Sequence, residues 1–174
     1  MSVTRLVTLD DVPALAELRR ANRDFLAPWE PVRDDEYFTA DGQRAIVTRA
    51  LARYGEGTHL PYVICDRSGQ VAGQINLNDI VRGAFQSGTL GYWLGAEFNG
   101  RGLATAAARE VIRLAFGDLG LHRIEAGTLV HNVRSQRVLE RCGFVRFGLA
   151  PAYLKIAGQW QDHILYQTVK TDPA

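Results

Sequence analysis

The sequence predicts a single α/β domain over residues 1–174, a mixed sheet flanked by helices. Three observations lead there. Apolar residues recur at helical spacing in some segments and alternate as in strands in others, so one chain carries both periods. Helical and strand-like segments interleave through the middle of the chain, the order that builds a sheet covered by helices. No internal repeat, low-complexity tract or linker divides the sequence, and its length suits one core.

Thr4–Val7 reads as a short strand. Asp10 or Asp11 then caps a helix with Pro13 in its first turn and Val12, Leu15 and Leu18 on its apolar face. Phe25–Pro31 holds Pro28 and Pro31 and reads as a loop. Asp41–Tyr54 reads as a second helix, closed where Gly55 and Gly57 can take positive φ. Tyr62–Asp66 and Gln70–Asn76 read as an antiparallel hairpin turning at Ser68-Gly69, and Thr89–Leu94 as the next strand. Leu103–Phe116 is helical, with Leu103, Ala107, Val111 and Leu114 on one face. Arg123–Val130 alternates as a strand, and Val133–Arg141 is a helix stopped by Gly143. Tyr153–Ile156 and His163–Val169 are the last strands, around Ala157-Gly158. Extension of the sheet by the last strand is a route to a homodimer, with a monomer as the alternative.

Composition narrows the function classes. Lys+Arg 20 against Asp+Glu 19 lacks the basic excess of a nucleic-acid or membrane-surface binder. No stretch approaches the ~20 apolar residues of a membrane helix, and the first residues lack the apolar core of a secretory signal, so a cytoplasmic protein is expected. Cys65 and Cys142 are far apart, and His59, His122, His131 and His163 are scattered, so neither a disulfide nor a metal site is expected.

The most informative stretch is the one around Gly100 and Gly102. A strand runs into this loop and a helix follows at once, leaving the first N–H groups of the helix directed at one place. The helix dipole strengthens that site for an anion, glycines permit close approach, and Thr105 adds a hydroxyl. The loop is therefore expected to hold phosphate or pyrophosphate. Gly100-x-Gly102 resembles a dinucleotide fingerprint, with Glu125 as a candidate ribose-binding acid, but the third glycine is missing. Strands that read as antiparallel precede it and one βαβ unit follows, too little for a doubly wound domain. The Walker Gly-Lys-Ser/Thr is absent.

Asn99-Gly100-Arg101-Gly102-Leu103-Ala104 resembles the pyrophosphate motif of the GNAT acetyltransferase superfamily, with Asn99 in place of the usual Gln or Arg. His131-Asn132-Val133-Arg134-Ser135 and Glu140-Arg141-Cys142-Gly143-Phe144 resemble the second half of that pattern. Four further pieces are similar to the RimJ/RimL group of ribosomal-protein N-terminal acetyltransferases: Phe25-Leu26-Ala27-Pro28-Trp29-Glu30, Gly91-Tyr92-Trp93-Leu94-Gly95, Asn132-x-x-Ser135 and Gly158-Gln159-Trp160-Gln161-Asp162-His163. The resemblance implies the GNAT fold, a mostly antiparallel mixed sheet in which two parallel strands splay at the acetyl-CoA site. It implies acetyl-CoA as cosubstrate without a metal, and a protein or peptide N-terminus as acceptor, ribosomal proteins included. It implies coenzyme contacts from Trp93, Leu94, Asn99, Gly100, Arg101, Gly102, Leu103, Ala104, Thr105, Asn132, Ser135 and Arg137, with Arg134 nearby. Trp29, Glu30 and Trp160 are implied at the acceptor groove.

Acetyl transfer needs a neutral amine, a donor to the thioester oxygen and help for the leaving thiolate. By resemblance the Leu94 N–H is the donor, an oxyanion-hole role. The tyrosine that many family members place seven residues after the Asn is Leu139 here. Ser135 is then the candidate thiolate stabiliser, against the plainer reading that its hydroxyl caps a helix. Asn132 has the same capping alternative. No carboxylate falls in Phe144–Gln159, where relatives place a basic Glu. Asp162, His163, Asp79 and Glu97 are the remaining bases in sight. Cys142 reads as a small buried residue, not a nucleophile. Two rival functions stay open: a small-molecule amine acetyltransferase acting on a polyamine, amino acid or aminoglycoside, and a non-catalytic CoA-binding module.

Overall fold

The structure, a computed structural model, describes residues 2–171. The strands are β1 (Thr4–Leu6), β2 (Leu60–Cys65), β3 (Val71–Val81), β4 (Ser87–Leu94), β5 (Arg123–Leu129), β6 (Val145–Ile156) and β7 (Gln159–Val169). The helices are α1 (Val12–Ala21), α2 (Arg23–Leu26), α3 (Ala40–Gly55), α4 (Leu103–Phe116) and α5 (Val133–Arg141).

One seven-stranded sheet runs in the order β1-β2-β3-β4-β5-β7-β6. Every pairing is antiparallel except β4 with β5, which meet only over Ser87–Thr89 and Arg123–Glu125. Beyond those residues β3 holds β4 as far as Leu94, and β7 holds β5 as far as Leu129. Each strand is tied to its outer neighbour while the inner pair parts, so a wedge opens in the middle of the sheet. Gly73 lets β3 follow β4 along this edge, because a Cβ there would come within 2.1 Å of the Trp93 carbonyl oxygen. Along β4, successive side chains face opposite sides. Tyr92 reaches α5, and Trp93 lies under Arg19 of α1.

Most predicted elements form. The stripe of α4 buries Leu103, Ala107 and Val111 but continues through Ala115, leaving Leu114 half-buried; the small alanines seat the helix on the sheet. Thr39 caps α3, its Oγ1 accepting from the Gly42 N–H at 3.0 Å. Asp11 stands at the N-cap of α1 without a side-chain cap bond. Its carboxylate instead accepts from the Thr8 N–H at 2.8 Å and pairs with Arg5 at 2.6 Å. Burial pushes this carboxyl up, and the Arg5 guanidinium and Thr8 more than offset it, holding it below the usual carboxylate range.

Three expectations need correction. Phe25–Pro31 is not a plain loop: α2 takes in Phe25 and Leu26, and a 3₁₀ turn follows over Ala27–Trp29. Pro28 sits at the start of that turn, where a missing N–H costs nothing. The last two strands are longer than their alternation suggests, because register shifts at Arg146/Gly148 and Ala150/Leu154 break the period. At the second shift Ala152 adopts φ +47, and its N–H donates to Asp162 Oδ1 at 2.8 Å. Finally, β7 is enclosed between β5 and β6, so the last strand cannot extend the sheet; the free edges are β1 and β6.

Candidate active site

The wedge opens onto a cleft of about 570 Å³. Of the residues expected at the coenzyme, Trp93, Leu94, Asn99, Ala104, Asn132 and Ser135 line it together, with Arg134 at its wall. Leu94 owes its place to the ladder. Gly95 N–H donates to Ala72 O at 2.9 Å, and Leu94 stands opposite Gly73 in the intervening pair. The peptide groups of that pair point away from β3. The Leu94 N–H therefore faces the gap toward β5, where no strand pairs with it.

A second space, about 240 Å³, lies between the diverging strands and is bordered by Glu30, Asn76, Thr128 and His163. The two spaces share Leu26, Trp29, Tyr92, Trp93, Asn132 and Ser135. Entry from two directions thus converges on one junction.

At that junction the competing readings of Ser135 separate. Asn132 is the N-cap of α5, its Oδ1 accepting from the Ser135 N–H at 3.2 Å. Ser135 is not a cap: it sits in the first turn, with Oγ 2.8 Å from the Tyr92 hydroxyl. Burial pushes the Tyr92 phenol up to about 12, only partly offset by Ser135, so it stays protonated at neutral pH. Tyr92 was legible in the sequence as part of Gly91–Gly95, but nothing marked its role. Leu139 holds the place of the absent tyrosine and is buried in the core, while Tyr92 brings a phenol to the same junction from β4.

The glycine loop stands beside the cleft. Gly100 and Gly102 both adopt φ +76, which favours glycine, and no atom lies within 4 Å of a Cβ built on either. Gly102 caps α4 without a side-chain bond. The first N–H groups of this 14-residue helix therefore keep no intrahelical acceptor beside open space. Such an arrangement fits a pyrophosphate.

Other predicted residues are placed differently. Leu103 is buried in the core, and the Thr105 carbonyl faces the Cys142 thiol at 3.6 Å. Burial pushes that thiol up, as suits an inert cysteine. The Arg101 guanidinium lies 5.6 Å from the Phe98 ring centroid, and exposed Arg137 lies outside the cleft lining. Glu125 is engaged by Arg123 at 2.7 Å. Trp29 borders both spaces and stacks 5.5 Å from His131, whereas Trp160 is 65% exposed and borders neither. Asp79 pairs with Arg53 and is largely exposed.

Two contributors gave no sequence signal. Arg19 is 6% exposed, with its guanidinium 3.6 Å above the Trp93 ring and 2.7 Å from Glu30. Asn22 accepts the Ala96 N–H at 2.7 Å and donates to Leu18 O, pinning the turn that leads into the glycine loop. Arg19 lies within α1 and Asn22 is its C-terminal cap, and both are polar residues that a sequence reading assigns to the solvent side.

The acetyltransferase (GNAT) domain family matches residues 3–145, and the chain belongs to that family: it is an N-acetyltransferase with the GNAT fold. YjcK of Bacillus subtilis (strain 168) is 38% identical over 156 residues, 89% of this chain and 86% of that protein. The ribosomal protein uS5-alanine N-acetyltransferase of Escherichia coli (strain K12) is 37% identical over 172 residues, 98% of this chain and 88% of that one. The solved structure of Mycobacterium smegmatis RimJ in complex with CoA-disulfide superimposes with a TM-score of 0.92 at 33% identity, covering 95% of this chain and 80% of that one. Among the described residues no helix is long and apolar enough to cross a membrane.

Proposed function

We propose that this enzyme, one GNAT domain over residues 1–174, transfers the acetyl group of acetyl-CoA to the N-terminal α-amine of a protein or peptide. The observation that carries the reading is the convergence of two spaces on Ser135 and Tyr92, below a strand N–H that faces the gap. Similarity to a uS5-alanine N-acetyltransferase supports a protein N-terminus and makes a ribosomal protein in the cytoplasm the first acceptor to test. Bound acetyl-CoA supplies a thioester. The glycine loop and the start of α4 hold its pyrophosphate, the Leu94 N–H donates to its carbonyl oxygen, and Ser135 donates toward the departing sulfur. An α-amine of pKa about 7.7–8.0 is roughly a fifth neutral near pH 7.3, whereas a lysine at about 10.4 is only on the order of 0.1% neutral. The site therefore needs less help with an α-amine.

Thiol release measured across a panel of amines tests the assignment. A peptide with N-terminal alanine is expected to exceed polyamines, free amino acids and aminoglycosides about tenfold or more in kcat/KM, a difference of ~1.4 kcal/mol in transition-state binding. A polyamine or aminoglycoside turned over faster would move the enzyme to small-molecule substrates. Coenzyme binding without thiol release for any amine would leave a non-catalytic binding module.

Gly102→Val is expected to weaken acetyl-CoA binding tenfold or more by calorimetry, since a displaced phosphate costs over ~1.4 kcal/mol. The added methyl groups occupy open space beside the loop, and the left-handed backbone also strains a β-branched residue, so folding is checked by circular dichroism. Unchanged affinity in the folded variant removes the coenzyme site from this loop. NADH is expected not to bind; NADH binding without CoA binding would restore the dinucleotide reading.

A further inference from the structure

The segment Gly158–His163 holds two of the four candidate bases, Asp162 and His163, and the fold gives its residues distinct tasks. Gln161 Nε2 donates to Ile156 O at 2.9 Å, steadying the hairpin turn. Asp162 holds the Ala152 N–H at the register shift. Trp160 points into solvent. His163 alone is drawn inside, 3% exposed, bordering the slot between the diverging strands together with Glu30, Asn76 and Ser135.

Its tautomer follows from its contacts. His163 Nδ1 lies 3.0 Å from Gln161 O. A carbonyl only accepts, so Nδ1 carries the hydrogen, and Nε2 of the neutral ring presents a lone pair. Nε2 has no hydrogen-bond partner among the described residues. The ring edge next to it lies beside Gly127, where a Cβ would stand 3.8 Å from Cδ2 and 3.7 Å from Tyr153 Cε1 and Leu165 Cδ2, so the glycine adds no side chain of its own to that side of the ring. Asn76 Oδ1 and Thr128 Oγ1, bordering the same slot, are buried without partners. A wholly structural slot would leave these two oxygens unmet, at a cost of about 1–3 kcal/mol for each buried group. A primary amine is a donor that can satisfy them.

We propose that His163 Nε2 takes the proton from the acceptor amine; the inference rests on the acetyl-transfer reading above. The amine nitrogen forms its bond to the thioester carbon, its N–H proton passes to Nε2, and the C–S bond breaks with its electron pair on sulfur. The thiolate takes a proton through the Ser135 hydroxyl, which regains one from solvent, and the imidazolium returns its own to solvent, so the net change is amine plus thioester to amide plus thiol. The titratable groups facing this imidazole are Tyr153 of β6, with ring centroids 5.5 Å apart, Tyr92 across the junction, and Glu30, whose carboxylate is engaged by Arg19. The Asp162 carboxylate is turned to the Ala152 N–H.

The test uses whichever amine of the panel the wild type acetylates, so the identity of the acceptor and the role of His163 fail separately. His163→Ala is expected to lose about 100-fold or more in kcat, within the range of general base catalysis, with acetyl-CoA affinity unchanged. Added imidazole should restore turnover in proportion to its unprotonated concentration, and acceptors of lower amine pKa should narrow the gap from wild type. His163→Gln, whose amide can still donate to Gln161 O, keeps the fold if alanine does not, and is expected to show the same kcat loss. Full turnover in either folded variant overturns the proposal, as does a loss that neither imidazole nor a less basic amine reduces.

Discussion

Ser135→Ala is expected to lower the maximal rate about 10- to 100-fold, roughly 1.4–2.7 kcal/mol, while leaving acetyl-CoA affinity nearly intact. The reason is that its hydroxyl is worth most once charge has built up on sulfur. Position in α5 makes the experiment decisive. Asn132 carries the cap, so Asn132→Ala is the variant expected to cost about 1 kcal/mol of stability. Ser135→Ala leaves that cap in place and frees only the Tyr92 hydroxyl at its 2.8 Å contact. Tyr92→Phe should reproduce a smaller part of the rate loss, because the serine keeps its proton but loses the phenol that orients it. Turnover at saturating substrate, measured beside thermal unfolding, separates these effects. Full turnover in Ser135→Ala with a lowered melting temperature would leave the serine a structural role alone.

Arg19→Ala is expected to be the most destabilising single change near the site, at about 3–5 kcal/mol by urea unfolding. The guanidinium is buried between Trp93 and Glu30, with Tyr37 at 5.2 Å. Burial pulls its pKa down, and Tyr37 and Glu30 only partly offset this; an arginine nonetheless stays a cation. Its removal strands the Glu30 carboxylate, whose side chain is 16% exposed, and uncovers one face of Trp93. Most of the loss is the penalty of the unpaired carboxylate, so adding Glu30→Gln to Arg19→Ala should recover a substantial part of it. A double variant no more stable than the single one would place the energy in packing on Trp93 instead.

The elements legible in the sequence are those whose signal is local. Leu103, Ala107 and Val111 fall one helical turn apart, and the Ser68-Gly69 turn closes a hairpin between two alternating runs; both patterns act within a few residues and survive into the fold. The glycine loop was equally legible, because a left-handed backbone and a bare helix cap are conditions set by the residues themselves. Asn132 and Ser135 could be selected as a pair, but not told apart: both can cap a helix, and only the partner 43 residues earlier, Tyr92, shows which hydroxyl is held at the junction. The sequence also hid the length of β6, since a register shift pinned by Asp162 erases the alternation that identifies a strand. Arg19 and Asn22 look like ordinary polar residues, and His163 like one of four candidate bases, until distant strands and turns close over them. What the sequence determined by itself was the set of elements and the anion-binding loop, through short-range periodicity and backbone conformation. What only the tertiary structure decided was the wedge and the groups gathered around it, because two strands can part only when each is held by a different neighbour.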